Sequence, residues 1–196
     1  FTQPRRPYRF EGERIPTPAK TDAVGAGSVD HWKVKARPAS ADAGLPLAGV
    51  RVADFTGFWA GPLAGGILAG LGADVIHIEG PKKPDGIRMN TIRPMTEAGW
   101  WEWSPLFCGT NTNKRDLTVD LSTPDGREIA LRLLATSHVM IENFSPRVVG
   151  QSGLAPDVVR HRIAPIVVVS MPPFGLSEPW PVRGWFAPTI QTRAVH

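Results

Sequence analysis

The segment DFTGFWAGPLAGGILAGLGADVIHIEGP, at residues 54–81, constrains the fold of this chain more than any other part of its sequence. It begins inside an apolar run, Val50–Phe55, that predicts a buried strand. After a turn, the small residues of Leu63–Leu71 predict a helix that can lie close to a sheet, and Gly72 suits the left-handed position that ends a helix. A second strand is predicted at Ala73–Glu79. Strands joined through a helix in this way are parallel.

The alternation of strands and helices continues toward the carboxyl terminus, after an irregular stretch at residues 80–112 that includes a tryptophan-rich patch. The predicted later elements are strands at Leu117–Leu121, His138–Phe144 and Ile166–Ser170, and helices at Pro124–Thr136 and Pro156–Ile163. The continuous apolar run at Ile166–Ser170 predicts a strand buried on both faces. The sequence therefore predicts an α/β fold, a Rossmann-like open parallel sheet with crossover helices.

Two segments of different composition are predicted. Residues 1–46 lack a sustained period of 2 or 3.6 and are interpreted as a linker or an extended tail, or as the end of a preceding module; residues 47–196 form the α/β part. The first segment holds eight basic and five acidic side chains, so it carries +3 of the net charge of +4. Because the basic excess lies mostly in a tail, we expect no nucleic-acid partner.

Cellular location and completeness are expectations of the same kind. The sequence has no apolar run of about 18 residues and no secretory signal at its start, so we expect neither a membrane span nor export. The single Cys108 fits a reducing, cytoplasmic compartment, and a lone cysteine is more often a small buried residue than a nucleophile. The absence of an initiator methionine suggests a fragment.

The turn after the first strand departs from a dinucleotide-binding fingerprint. That fingerprint requires G-x-G-x-x-G followed by an acid about 20 residues later. Glu79 meets the second requirement, but the turn carries Phe58 and Trp59 where bare backbone is required. A turn that leads into a helix still offers N–H groups to an anion, and because Pro62 has none the loop must supply them. The rings suit a ligand with a flat or apolar part beside its phosphates; alternatively, they fill the edge of the sheet.

Two further groups lie at predicted strand ends. Asn143 and Phe144 follow the strand at His138–Phe144, at the edge where open α/β sheets bind ligands, and offer an amide and a stacking face. Lys114 and Arg115 precede a strand and are interpreted either as phosphate contacts or as exposed turn charges. Three acidic residues lie in or beside predicted strands, and because nothing in the sequence pairs them with a base we assign them no catalytic role: Asp54, Asp74 and Asp120.

Several of these motifs in order resemble the family III CoA-transferases, which include formyl-CoA transferase, carnitine CoA-transferases and α-methylacyl-CoA racemase. The resemblance covers residues 45–185 and rests on LAGVRVADFTGFWAGP, GADVIHIEGP, NTNKRDLTVDL, HVMIENFSP and IVVVSMPPFG. It identifies the chain as the N-terminal part of the family's large domain, which is incomplete here. The implied ligand is coenzyme A, bound as acyl-CoA. It places CoA contacts at Phe58, Trp59, Ala60, Val119, Asn143, Phe144 and Arg183.

The chain also departs from the family pattern. Gly80 and Gln151 stand where the family often has arginine, although Lys82 or Lys83 can substitute near the first position. The family's catalytic aspartate is expected beyond His196, so the catalytic residue is unknown and we expect the 196 residues alone to be inactive. No metal is expected.

The resemblance implies transfer of CoA between carboxylic acids through an aspartyl intermediate, with acyl-CoA and a carboxylic acid as partners and an interlocked homodimer as the assembly. Three alternatives stay open at this stage. They are a 2-methylacyl-CoA racemase of the same family, a non-catalytic CoA-binding or subunit-interaction module, and a dinucleotide oxidoreductase.

Overall fold

The computed structural model describes residues 44–163 and 165–171, and these form one parallel sheet with helices against it. The strands are β1 (Arg51–Phe55), β2 (Asp74–Glu79), β3 (Arg115–Thr118), β4 (Val139–Glu142) and β5 (Val167–Ser170). The helices are α1 (Ala60–Gly70), α2 (Pro105–Thr110), α3 (Pro124–Ala135), α4 (Pro146–Ser152) and α5 (Pro156–Arg162). Two short 3-10 helices, Gly86–Met89 and Trp100–Trp103, lie between β2 and α2.

The strand order is β3-β2-β1-β4-β5, and all four pairings are parallel. This confirms the predicted open parallel α/β sheet. The chain moves outward from β1 through β2 to β3, then returns to place β4 on the other side of β1. The boundary between β1 and β4 is therefore a topological switch point, where loops leave the sheet in opposite directions and open a crevice for a ligand.

Helix α1 begins and ends for identifiable reasons. It starts at Ala60, so Pro62 lies third, within the first turn, where a missing N–H costs little. It ends in a Schellman motif, in which Gly72 at φ +99° donates to Ala69 O (3.0 Å) and Ala73 donates to Leu68 O (3.1 Å). The predicted glycine stop is confirmed.

Apolar side chains cover both faces of the central strands. One cluster joins Phe55, Ile76 and Met140 to α3 and α5, and a smaller cluster joins Val52, Val75 and Ile141 to α1 and the turn after it. The two clusters fix which side chains of β1 and β2 face α1, since alternate residues of a strand point to opposite faces. On the α1 face the apolar residues give way to polar ones toward the carboxyl ends of the strands.

Two predictions about strands were wrong in detail, and two helices were missed. Strand β3 covers Arg115–Thr118 instead of Leu117–Leu121, because its pairing with β2 starts at Arg115. The chain then turns at Asp120, whose Oδ1 accepts a hydrogen bond from the Ser122 amide (3.0 Å). Helices α2 and α4 were not predicted. Strand β5 is not buried on both faces: Val167 is 60% exposed, because β5 is an edge strand of the described sheet.

Among the described residues, no helix combines the length and the apolar character that crossing a bilayer requires. The predicted tail at residues 1–46 lies outside the described residues except for 44–46, and so does Arg183.

Candidate functional site at the β1–β4 switch point

Asn143 joins the two loops that leave the switch point. Its Oδ1 accepts from the Gly57 amide (2.9 Å), and its Nδ2 donates to the Gly57 carbonyl (2.8 Å), across 86 residues of sequence. Strand register explains the meeting, since Phe55 of β1 lies opposite Glu142 of β4. Gly61 permits the close approach, because a Cβ there would overlap Thr56 and come within 3.0 Å of Asn143 Cγ. The structure thus brings the two predicted loops together.

Asp85 holds the next residue of the β1–α1 loop. Its Oδ1 accepts from the Phe58 amide (2.8 Å) and from the Ile87 amide (3.0 Å). Phe58 adopts φ +67°, an uncommon conformation for an aromatic residue, and its ring lies against Gly86, where a Cβ would overlap it. Burial raises the pKa of the Asp85 carboxyl, and the two amides offset part of that effect.

The loop amides are therefore occupied by protein acceptors. The Thr56 amide donates to Asp54 Oδ1 (2.9 Å), that of Gly57 to Asn143 and that of Phe58 to Asp85. An anion cannot use these three donors without displacing a side chain, and two of the acceptors are carboxylates. The expectation that the loop supplies N–H groups to a phosphate therefore does not hold for these three amides. The rings of Phe58 and Trp59 are 45% and 53% exposed, so they do not fill the sheet edge.

A buried ion pair lies beneath the loop and α1. Lys114 Nζ donates to Asp54 Oδ2 (2.7 Å), to the Pro62 carbonyl (2.8 Å) and to Asn111 Oδ1 (2.8 Å), and both charged side chains are at most 2% exposed. The pair passes close under α1 at Gly65, where a Cβ would overlap Asp54 Oδ2.

This pair corrects two sequence interpretations. Asp54 does have a basic partner, and Lys114 is neither an exposed turn charge nor free to meet phosphate. Burial acts to raise the pKa of Asp54, but the attraction of His77 and Lys114 outweighs it, so that pKa lies below its usual value. Burial lowers the pKa of Lys114, with Asp54 opposing the shift. Sequence inspection missed the pair because its members are 60 residues apart.

His77 lies next to this pair on β2, in register with Asp54 on one side and Asp116 on the other. Its ring is 1% exposed and its Nδ1 lies 3.8 Å from Asp54 Oδ2, which is too long for a hydrogen bond, so their attraction is electrostatic. Among the described residues neither ring nitrogen has a hydrogen-bond partner. Burial acts to lower the pKa of His77, but Asp54 and Asp116 outweigh it, and that pKa is raised.

Glu79, the acid at the end of β2, is already engaged. Arg88 forms a bidentate pair with it, from Nε to Oε1 (2.8 Å) and from Nη2 to Oε2 (2.7 Å), and the Asp85 amide donates to Oε1 (2.6 Å). Arg88 also stacks on Phe107, with 3.4 Å between Cζ and the ring centroid. A ribose-binding role for Glu79, as in a dinucleotide site, would require breaking this pair.

One group of described residues has the composition of a metal site. The ligand atoms of His77, Glu79 and Asp116 lie within 4.8 Å of one another. However, the Arg88 guanidinium contacts both acids, at 2.7 Å from Glu79 Oε2 and 3.4 Å from Asp116 Oδ2. Because a fixed cation already pairs with both acids, the residues do not fit a divalent ion well.

The other predicted contacts differ in exposure. Ala60 is exposed at the first position of α1, whereas Val119 is 5% exposed and belongs to the larger core cluster. Phe144 packs against the larger core cluster, and its amide donates to Glu142 Oε2 (2.9 Å). Lys82, one substitute for the missing arginine, pairs with Asp120 (2.8 Å). Lys82 and Ser122 together lower the pKa of the Asp120 carboxyl to about 2.

The sequence profile of CoA-transferase family III matches residues 47–195. The chain belongs to CoA-transferase family III. The match includes the whole described sheet together with the β1–α1 and β4–α4 loops, so the corner built by Gly57 and Asn143 lies inside the family's common region.

Curated relatives of this family member are named as transferases. The chain is 36% identical over 134 residues to the probable fatty acyl-CoA transferase Rv3272 of Mycobacterium tuberculosis, covering 68% of this chain and 33% of that protein. It is 35% identical over 137 residues to a succinate–glutarate CoA-transferase of Agrobacterium fabrum, covering 69% and 34%. It is 37% identical over 129 residues to a formyl-CoA:oxalate CoA-transferase of Streptomyces avermitilis, covering 66% and 30%.

Solved structures give the same family. The crystal structure of Rv3272 matches with a TM-score of 0.68 at 33% identity, covering 76% of this chain and 40% of that one. A CAIB/BAIF family protein from Brucella suis matches with a TM-score of 0.66 at 33% identity, covering 76% and 39%. The chain spans about a third of the length of the curated relatives it matches.

Proposed function

We propose that this protein transfers coenzyme A between carboxylic acids, and that this chain supplies one corner of its CoA site. The observation that carries the proposal is the joining of the β1–α1 and β4–α4 loops by Asn143 and Gly57 at the topological switch point of a family III sheet. Crevices at such points are where open α/β sheets bind nucleotide-like ligands.

The exposed rings suit the stackable and apolar parts of CoA. Phe58 and Trp59 lie half-exposed on a loop whose backbone is held from three directions, and a rigid aromatic surface loses little entropy when a ligand packs on it. We propose further contacts from the backbones of Ala60 and Val119 and from the Phe144 ring.

The phosphates of CoA need partners other than the first three amides of the β1–α1 loop. Because the amides of Thr56, Gly57 and Phe58 already donate to protein side chains, we assign the phosphates to basic side chains. Lys82 and Lys83 are exposed after β2, and Arg183 comes later in the sequence. This arrangement is typical of an anion bound through side-chain charges instead of backbone donors.

The proposed reaction uses a carboxylate nucleophile. An aspartate oxygen attacks the thioester carbonyl of acyl-CoA and the C–S bond breaks. This step forms a mixed anhydride on the aspartate and releases CoA as its thiolate. The thiolate then attacks the aspartyl carbonyl, which releases the first carboxylate and forms an aspartyl-CoA thioester. The acceptor carboxylate then attacks the aspartyl-CoA thioester, which releases CoA thiolate and forms a second mixed anhydride. The thiolate attacks the acceptor's carbonyl, which gives the new acyl-CoA and regenerates the aspartate.

The corner itself does not offer a suitable nucleophile. Asp54 is fully buried and paired with Lys114, and Asp85 is turned toward two amides. We therefore propose that the nucleophilic aspartate comes from another part of the protein and that residues 47–196 form the N-terminal part of the large domain. The named relatives are transferases, which favours transfer over racemisation.

We propose an interlocked homodimer in the cytoplasm, where Cys108 stays reduced. The half-exposed Val169 and the more exposed Val167 of edge strand β5 support further packing by other protein surface. Sedimentation of the full-length gene product tests the dimer, and a monomeric mass would contradict it.

Calorimetric titration with CoA and with NAD, in parallel, tests the binding proposal. We expect CoA to bind and NAD to give no saturable heat. Binding of NAD alone would favour the dinucleotide alternative, and binding of CoA without acyl exchange by the full-length gene product would favour a non-catalytic CoA-binding protein. Exchange of labelled CoA between two carboxylic acids is the activity measurement.

A further inference from the structure

The β1–α1 loop is held by three side chains that come from separate parts of the fold. Consecutive amides at Thr56, Gly57 and Phe58 donate to Asp54, Asn143 and Asp85, which belong to the end of β1, the end of β4 and the segment after β2. Thr56 Oγ1 adds a second hydrogen bond to Asp54 Oδ1 (2.5 Å). Each of these three amides is thus fixed by a separate part of the fold.

Lys114 extends this arrangement to α1. Its ammonium has three donors, and each has a partner: Asp54 beneath the loop, the Pro62 carbonyl in the first turn of α1, and Asn111 after α2. The charge neutralises Asp54, while the bond to Pro62 fixes where α1 starts relative to β1. Trp59 lies between these two fixed points, immediately after Phe58 and immediately before α1.

Asp85 fixes an uncommon backbone conformation. Phe58 at φ +67° would relax toward more favourable conformations without a restraint, and the Asp85 acceptor supplies that restraint through its amide. Asp85 is buried, and among the described residues its Oδ2 has no hydrogen-bond partner. The contact with the Phe58 amide therefore depends on Oδ1 at its present position, and Oδ2 makes no comparable hydrogen bond among the described residues.

We infer that Asp85, Asp54 and Lys114 are positioning residues, which preorganise the loop bearing Phe58 and Trp59 for its ligand without touching that ligand. The inference rests on the proposed function, since it takes CoA as the ligand. None of the three is among the CoA contacts that the family resemblance implied, and at Asp85 the positioning atom is Oδ1.

Two substitutions at Asp85 separate position from charge. Asp85→Asn keeps an acceptor oxygen in place and removes the charge, whereas Asp85→Glu keeps the charge and moves the acceptor by one methylene group. We expect Asp85→Asn to bind CoA within about twofold of the unmodified protein. We expect Asp85→Glu to bind at least tenfold more weakly, because rigid placement of binding groups is what preorganisation contributes. Asp85→Ala serves in place of Asp85→Glu if that variant does not fold.

A ligand-free measurement distinguishes failure of this inference from failure of the proposed function. Hydrogen exchange of the Gly57 and Phe58 amides in the full-length gene product should speed up in Asp85→Glu and stay slow in Asp85→Asn. Arg115→Gln is the control for general destabilisation, because it removes the ion pair with Asp74 at the opposite ends of the strands.

Each outcome has a definite meaning. If the unmodified protein does not bind CoA but exchange follows the expected pattern, the positioning role stands and the proposed function fails. If CoA binds and the two variants show equal affinity, or if exchange at Phe58 is the same in both, the positioning role is wrong. If affinity falls equally in Arg115→Gln, the loss reflects general destabilisation and likewise overturns the inference.

Discussion

The side chain of Asn143 forms two hydrogen bonds with the backbone of Gly57, one donated and one accepted, at 2.8 and 2.9 Å. A carboxamide that meets one residue's N–H and C=O in this way imitates a neighbouring strand. It continues the pairing of β1 and β4 one step beyond the last paired residues, Phe55 and Glu142. The corner of the candidate site is thus an extension of the sheet made by a side chain.

Asn143→Ala should loosen this corner. Both hydrogen bonds are part-buried, so their loss should lower the free energy of unfolding by about 1–3 kcal/mol. CoA affinity should fall as well, since the loop loses one of its restraints. Chemical denaturation and calorimetry measure the two effects. The exposed Asn90, changed to Ala, is the control, and an Asn143→Ala protein as stable as that control would contradict the expectation.

Trp59→Ala should affect the ligand more than the fold. Because the ring is 53% exposed, its removal should cost little stability, while CoA binding should weaken by about 1–3 kcal/mol, the scale of stacking between a base and an aromatic side chain. Trp103→Ala is the matched control: that ring is 38% exposed and stacks with Arg93, 3.7 Å away. Equal CoA affinity in both variants would return Trp59 to a structural role.

Lys114→Met should be severely destabilising, by about 3–5 kcal/mol, because it leaves the Asp54 charge buried without a partner. Adding Asp54→Asn should recover part of the loss by removing that charge. Arg115→Met is a suitable control, since its side chain is 54% exposed and an exposed ion pair contributes at most about 1 kcal/mol. Urea unfolding of the unmodified protein, the two single variants and the double variant measures these effects. Equal stability of Lys114→Met and Arg115→Met would contradict the assignment.

Gly65→Ala should also disturb the buried ion pair, by steric overlap and not by a change in charge. A Cβ at this position would overlap Asp54 Oδ2 and lie 2.9 Å from Lys114 Nζ, so we expect a loss of about 1–3 kcal/mol. Gly109→Ala in α2 is the contrast, because nothing lies within 4 Å of its Cβ and alanine favours a helix by about 1 kcal/mol. Melting temperatures that shift in the same direction would argue against the close approach.

Stability should depend on the protonation of His77. Its pKa is raised in the folded state by Asp54 and Asp116 despite burial and the opposing charge of Lys114. A raised folded pKa means that its stabilising contribution is complete below the unfolded value of about 6.5 and is lost as pH rises through the folded pKa. Each tenfold difference in proton affinity between the folded and unfolded states corresponds to about 1.4 kcal/mol.

His77→Gln removes this titrating group and should flatten the fall in unfolding free energy above pH 6.5. Urea unfolding from pH 5.5 to pH 9, for the unmodified protein and the variant, gives the comparison. Identical slopes in the two proteins would show that His77 has the same pKa in the folded and unfolded states, and would contradict the expectation.

Several elements were predictable because their determinants are local. The turn and glycine stop around α1, the Thr123–Pro124 start of α3 and the apolar cores of β1 and β2 follow from residues close in sequence. Helices α2 and α4 were missed although each has a local signal, since Ser104–Pro105 and Ser145–Pro146 have the serine-proline pattern of a helix start. The exposure of β5 was not predictable, because an apolar run does not reveal which neighbours cover it.

The site divides in the same way. The aromatic residues of the loop and the amide at the end of β4 were visible in the sequence, and their motifs were sufficient to identify the family. The partners that hold them were not visible, because Asp54 and Lys114 are 60 residues apart and Phe58 and Asp85 are 27 apart.

The sequence by itself determined the parallel α/β fold, the family and the chemical character of the loop, because strand and helix periods and turn residues act over short distances. Only the tertiary structure decided that β4 lies beside β1, that Asn143 therefore reaches Gly57, and that a lysine before β3 neutralises an aspartate at the end of β1. Strand order sets these meetings, and strand order follows from how the helices cover the two faces of the sheet rather than from any one segment.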